Sequence, residues 1–231
     1  MELPRSLTDE GILRYGFHGL SYEYIASTLP QHLGDRADGR VIVAHLGSGA
    51  SMCAMKDRRS VATSMGLTAL DGLVMGRRCG SLDPGVVLYL LEEKGLTSEQ
   101  ITSLLYSKSG LLGVSGISND MAVLEADSSA QAQEAIELFC YRAARELTAL
   151  ATDMAGIDAI VFTAGIGKNS ALVRRLICQR LAWLGVDLDV TANERGIAHI
   201  QSTASDVSVI VIPTDEEAVI AAKTRMLTCS V

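Results

Sequence analysis

The sequence predicts an α/β domain in which a mixed sheet is flanked by helices, and three observations carry that reading. The 231 residues are 48% hydrophobic but only 4% aromatic, so the core must be built from aliphatics, Ala and Met, as in Val/Ile-rich strands covered by Ala/Leu-rich helices. Short β-branched runs alternate with segments of helical periodicity through the second half of the chain. Pro4, Pro30, Pro84 and Pro213 fall near apparent element boundaries, with no long linker, repeat or low-complexity tract between them, so one domain is expected.

The elements follow in order. A first helix is expected near Tyr22 to Leu29. "RVIVAHLGSGASMCAMKDRRSVATSM" reads as three short antiparallel strands, separated by a Gly-rich turn and by a turn at Lys56 to Arg58. "DPGVVLYLLEEKG" begins with Asp83 as N-cap and Pro84 at the first helical position, and stops at Gly95. "TSEQITSLLYSKSG" places Thr97 three residues before Gln100, the spacing of a capping box. A longer helix from about Ser129 to Ala155 shows Ile136, Phe139, Ala143, Leu147, Leu150 and Met154 at steps of three or four, and Gly156 ends it. "DAIVFTAGIGKNS" is a buried-strand run feeding a Gly-rich turn and the helix "SALVRRLICQRLAWLG". "VSVIVIPTDEEAVIAAKTRML" repeats strand, turn and helix. Three antiparallel strands followed by helix, strand, helix, strand, helix is the order of a ribonuclease-H-like domain.

Composition excludes several function classes. The formal charge of -7 carries no basic cluster, which argues against a nucleic-acid or anionic-membrane partner. Cys53, Cys79, Cys140, Cys178 and Cys229 are far apart, odd in number and free of any CxxC spacing, so neither a disulfide framework nor a zinc site is expected and a reducing cytoplasm fits. The first residues lack the apolar core of a signal peptide, and no run approaches a membrane span.

Chemistry belongs at the strand-to-turn junctions, since ligands of open α/β sheets bind beyond the carboxyl ends of strands. "HLGSGAS" (His45 to Ser51), "GIGKN" (Gly165 to Asn169) and "PTDEEA" (Pro213 to Ala218) are the candidates. A single GxG is weak, because most are only turns. Three such junctions on one sheet edge favour a nucleotide site, with backbone amides and helix N-termini facing phosphate. Asp215, Glu216 and Glu217 either answer the dipole of a helix start or direct a magnesium ion onto phosphates, and the two readings are compatible. Arg77 and Arg78 in "MGRRCGSLDPG" are either a solvated face or the planar cationic fork that phosphoryl transfer requires. His18 and His45 either pack in turns or donate hydrogen bonds to a phosphoryl group. Neither Ser21 nor a cysteine has the context of an acyl-transfer nucleophile.

Six segments in register, "RYGFHGLSYEYI", "AHLGSGAS", "GLVMGRRCGSLDPG", "GISNDM", "FTAGIGKNS" and "PTDEEAVIA", cover nearly the whole chain. Together they resemble the C-terminal half of acetate kinases, short-chain carboxylate kinases of the actin/Hsp70/sugar-kinase superfamily. The resemblance implies a C-terminal nucleotide-binding and dimerisation domain over residues 1–231. It implies reversible, Mg²⁺- or Mn²⁺-dependent in-line transfer from ATP to acetate, giving ADP and acetyl phosphate. It implies that His18 and Arg78 stabilise the transition state and that His45, Leu46, Gly47, Ser48 and Gly49 wrap the phosphates. Asp120 and Met121 would approach the ribose, Gly165, Ile166, Gly167, Lys168 and Asn169 would hold the nucleotide, and Glu216 would bind or orient the metal. Its partners would be ATP or ADP, a short-chain carboxylate, a second copy of the chain and a separate N-terminal lobe; the Ser129 to Ala155 helix is either a candidate dimer contact or simply core.

Four positions depart from the family pattern: Ser48 replaces the Asn of HLGNG, Tyr22 stands for a second histidine, Ala122 replaces the arginine of DMR, and Lys168 stands where an acid is usual. The family's first lobe, with its own phosphate loop, an acetate-binding arginine and an aspartate, is absent from these residues. Two functions remain open on the sequence: a kinase component for acetate, propionate or butyrate, and a stand-alone nucleotide-binding or interaction module.

Overall fold

The computed structural model describes residues 2–228. Cys229 lies outside them. A short helix α1 (Arg5–Asp9) buries nothing, and α2 (Gly19–Leu33) buries Ser21, Tyr22, Ile25 and Leu29 along one stripe. That helix is longer than the expected Tyr22 to Leu29 and runs through Pro30, because the stripe packs on Val41, Val43, Ala159 and Ile210. Packing of an amphipathic face outweighs the hydrogen bond that proline removes.

The expected meander is present as β1 (Val41–Leu46), β2 (Ala50–Lys56) and β3 (Arg59–Thr63), antiparallel in sequence. Asp57 and Arg58 close the second hairpin with φ of 53° and 56°, the twist that matches two antiparallel strands. Helix α3 (Pro84–Glu92) is capped by Asp83, and α4 (Ser98–Ser107) carries the full Thr97/Gln100 capping box. Two helices that the sequence did not announce, α5 (Gly110–Ser115) and α6 (Met121–Ala126), lead into α7 (Ala130–Asp153), capped by Ser129.

β4 (Ala159–Thr163) runs parallel to β1. The expected Gly-rich turn after it is instead one further helix, α8 (Ala164–Asn169), followed by α9 (Ala171–Gln179). The segment expected to be one helix through "LAWLG" breaks after Gln179 into a tight turn that ends at Gly185 with φ 81°. A short α10 (Val190–Glu194) precedes β5 (Ser208–Val211), parallel to β4, and α11 (Glu216–Thr228) closes the described chain.

The sheet order is β3-β2-β1-β4-β5. All six β1 residues are buried because both faces are covered, which is why the strand reads as continuous apolar sequence rather than alternation. Ile42, Ala44 and Leu46 face a core with Phe139, Leu147 and Leu150 of α7, while Val41 and Val43 face α2. The apolar stripe of α7 is therefore intramolecular core, each large side chain worth about 1.5–3 kcal/mol of burial. Among the described residues no helix is long and apolar enough to cross a membrane.

Candidate active site

The opening segment docks on the loop that follows β3. Arg14 Nη1 donates to the carbonyl of Met65 at 2.9 Å, and Tyr15 N donates to that of Gly66 at 3.0 Å. The chain then turns through Gly16 and places His18 as the residue before α2 with φ 59° and ψ 28°. A left-handed histidine is uncommon and marks a constrained position. Its carbonyl accepts from Tyr22 N at 3.1 Å, so the conformation begins the helix.

Three of the singled-out side chains converge there. The rings of His18 and His45 stack at 4.2 Å with 12° between their planes. A Cβ added at Gly49 would lie 3.2 Å from His18 Nε2 and 3.4 Å from Arg78 Nη2. The two nitrogens thus overhang the backbone of the β1–β2 turn, and glycine leaves the space between them open. Arg78 Nη1 is held by the carbonyl of Ala69 at 2.7 Å. Arg77, by contrast, is exposed, and among the described residues its side chain reaches the Asn119 side chain alone, at 3.5 Å. The arginine pair divides into a solvated member and a site member.

Electrostatics keep the imidazoles neutral. Burial, and then the Arg78 cation, lower the His18 pKa below its ordinary value. Burial, and then His18, push His45 down to about 4. Neutral rings beside a guanidinium make a donor-rich, singly charged corner suited to spread negative charge. His45 Nδ1 pairs with the buried Ser21 Oγ at 2.9 Å, and His18 Nδ1 pairs with Ser51 Oγ at 2.8 Å.

Beside this corner opens a cleft of about 320 Å³ lined by Gly47, Ser48, Asp120, Met121, Gly165, Ile166 and Asn169 from the expected set. Asn119, Ala122, Glu125 and Ser170 complete it. Gly76 N donates to Ser48 O at 3.0 Å, tying the arginine loop to the β1–β2 turn. Asp120 is engaged as the cap of α6, accepting from Ala122 N at 2.9 Å. Five expected residues, Gly167 among them, lie off the cleft wall: Leu46 is wholly buried core, His45 and Gly49 belong to the imidazole corner, and Lys168 is exposed. Gly167 is buried where α8 crosses β1, its would-be Cβ 3.6 Å from Ala44 O. Glu125, bonded to Ser170, had no signal in the sequence; Asn119 and Ser51 lay inside quoted segments without being singled out.

Glu216 opens α11 half-buried, while Asp215 Oδ1 accepts from Ala218 N at 2.9 Å as a cap. Among the described residues no three His, Cys, Asp or Glu side chains form a metal cage. The hydroxyls of Thr163 and Thr214, at and just beyond the ends of neighbouring parallel strands, are buried without a hydrogen-bond partner among the described residues. Oxygen donors of this kind, a carboxylate and hydroxyls near the strand ends, suit a hard cation that keeps several waters and arrives on nucleotide phosphates.

The five-stranded mixed sheet, its flanking helices and a cleft at the strand ends define a domain of the actin/Hsp70/sugar-kinase superfamily. The Acetokinase family model matches residues 1–222, and the chain belongs to that family. It is 62% identical over 222 residues to an acetate kinase of Rhodopseudomonas palustris strain TIE-1, covering 95% of this chain and 56% of that protein. An acetate kinase of Rickettsia felis is 48% identical over 219 residues, 95% of this chain and 57% of the relative. Among solved structures, Porphyromonas gingivalis acetate kinase superposes with a TM-score of 0.93 at 38% identity, covering 99% of this chain and 59% of that one. A propionate kinase from Francisella tularensis gives 0.91 at 40% identity, covering 96% and 58%. The chain thus spans a little over half the length of the relatives it matches.

Proposed function

We propose that residues 1–231 are the C-terminal nucleotide-binding and dimerisation domain of an acetate-kinase-type phosphotransferase. The reaction is reversible transfer between ATP and acetate, giving ADP and acetyl phosphate by in-line displacement. The observation that carries this reading is the convergence of His18 Nε2 and Arg78 Nη2 over Gly49, next to a cleft lined by Gly47 and Ser48 on one side and Gly165 and Asn169 on the other.

Acetate is a poor nucleophile, so the chemistry needs positioning and charge compensation rather than a strong base. In this reading the turn from His45 to Gly49 follows the phosphates and Arg78 forks onto the equatorial oxygens. His18 donates from Nε2. Asp120 and Met121 flank the ribose, and Gly165 to Asn169 hold the base end. Glu216, helped by the Thr163 and Thr214 hydroxyls, would hold Mg²⁺ or Mn²⁺ through water; the bound ion supplies neutralisation of phosphate charge. The acceptor class is a short-chain carboxylate, with acetate first and propionate or butyrate next, since one methylene changes a pocket's preference by only about 1–3 kcal/mol.

A second reading is a nucleotide-binding module without transfer. It is favoured by Ala122 on the cleft wall, where the family pattern has arginine. A homodimer is part of the first reading, and its contact is better supplied by the exposed apolar face of α3 than by α7, whose stripe is spent on the core. The four free thiols among the described residues suit a cytoplasmic setting.

The deciding experiment is ATP formation from acetyl phosphate and MgADP by the purified chain, with Arg78→Ala prepared identically. Activity lost in the variant supports transfer by this domain. No activity with retained MgADP binding supports the binding module, and absence of MgADP binding overturns both.

A further inference from the structure

We propose that Tyr22 and Ser51 form a hydrogen-bond relay that fixes His18 as its Nε2–H tautomer, which makes both of them positioning residues; the inference rests on the transfer reading above. His18 Nδ1 lies 2.8 Å from Ser51 Oγ, and Ser51 Oγ is in turn in a short hydrogen bond with Tyr22 Oη. Ser51 is 0% and Tyr22 7% exposed, so the pair is largely shut off from bulk water. Neither hydroxyl has another partner among the described residues.

Counting hydrogens sets the polarity. The relay contains two hydrogen bonds and two hydroxyl hydrogens. If Nδ1 is bare, Tyr22 donates to Ser51, Ser51 donates to Nδ1, and every hydrogen is used. If Nδ1 carries a proton, three hydrogens compete for two bonds, and one buried O–H is left without an acceptor, which is costly. The same count disfavours the imidazolium, in line with the lowering of the His18 pKa by burial and Arg78. Burial pushes the Tyr22 phenol up, so it stays protonated and keeps its single hydrogen to give.

The consequence lies on the other side of the ring. With Nδ1 an acceptor, the proton sits on Nε2, the atom that shares the space above Gly49 with Arg78 Nη2. A neutral histidine thereby becomes an obligate donor toward a phosphoryl oxygen without a second full charge beside the guanidinium. Tyr22 occupies the position where the family pattern has histidine. A phenol gives the relay one fixed direction, whereas an imidazole could run it either way.

The test is long-range proton–nitrogen NMR of the ¹⁵N-labelled full chain at neutral pH, without ligand, with His18 assigned from His18→Asn. The expected wild-type signature is a single tautomer, protonated at Nε2 with Nδ1 a hydrogen-bonded acceptor. Ser51→Ala should turn that signature into a mixture of both tautomers. Tyr22→Phe leaves Ser51 free to donate, so it should keep the tautomer and weaken the hydrogen-bond shift at Nδ1. A wild-type ring protonated at Nδ1, or ring signals unchanged in either variant, overturns the relay. MgADP titration of the same wild-type sample separates the two ideas: absent binding removes the nucleotide reading while the tautomer result stands by itself.

Discussion

His18 holds a left-handed backbone at φ 59°, a conformation that histidine adopts more often than most side chains but still at a cost. For a residue with a Cβ it costs about 1–2 kcal/mol, whereas glycine adopts it freely. Replacing His18 should therefore reverse the usual order: His18→Gly should be more stable than His18→Ala by about 1 kcal/mol in urea unfolding. Equal midpoints would show that the turn relaxes once the ring is gone. His45 makes a second residue-scale prediction. Its folded pKa near 4 lies below the ordinary 6.5, so between those values the unfolded chain binds more protons than the folded one. Its contribution is full above pH 6.5 and is lost as pH falls through that window, about 2 kcal/mol by pH 5. His18 acts in the same direction. Urea midpoints measured from pH 7 to pH 5 should fall less steeply for His45→Asn, and parallel profiles would refute the assignment. Both histidines were visible in the sequence because His18 adjoins Gly19 and His45 lies two residues before Gly47, each near an element junction. Their stacking was not, since it depends on α2 lying across the end of β1, a tertiary fact that local spacing does not carry.

At the scale of elements, legibility followed length. The meander, α4 and α7 were readable because alternation, a capping box or several turns of periodicity marked them. Helices α5, α6 and α10 each have six residues or fewer, too few turns for a periodic stripe to register. The misread junction after β4 has a physical cause. "AGIGKN" looks like a turn because glycine disfavours helix, but a buried arginine from α9 overrides the propensity. Arg174 is 1% exposed; its Nη1 donates to the carbonyls of Gly167 at 2.9 Å and Lys168 at 2.7 Å. Its Nε and Nη2 bond the Asn193 side chain and backbone at 2.8 and 2.9 Å. One planar fork therefore ties the end of α8 to α10, a task a lysine ammonium cannot span. Arg174→Ala leaves buried carbonyls without donors and should cost about 3–5 kcal/mol. Arg174→Lys should recover only part of that. The α8 amides should lose hydrogen-exchange protection before those of β4, and uniform loss across both would mean that the arginine serves the whole fold rather than this cleft wall.

Over the whole molecule, the distribution of apolar surface is uneven. The apolar faces of α2 and α7 disappear into the two cores, yet α3, whose sequence is as apolar as a core helix, buries none of its residues. Val86, Leu88, Tyr89 and Leu91 are exposed at 38%, 54%, 49% and 41%, and Leu82 and Tyr106 lie exposed on neighbouring segments. Clustered large side chains in water mark an interaction surface more often than scattered ones do. The Asp83 cap and the proline at the first turn hold α3 helical without help from packing, so the face is preformed. Burying these side chains against a second copy would take exposed apolar surface out of water, which is the physical content of the dimer proposed above. The chain should therefore associate at micromolar concentration by light scattering. Leu88→Glu combined with Leu91→Glu should shift it toward monomer, because two carboxylates would be desolvated at the contact. Since neither leucine belongs to a core, the circular dichroism spectrum and urea midpoint should stay within about 0.5 kcal/mol of the parent. A chain that is monomeric before substitution, or an assembly that the double variant leaves intact, would move the contact away from α3.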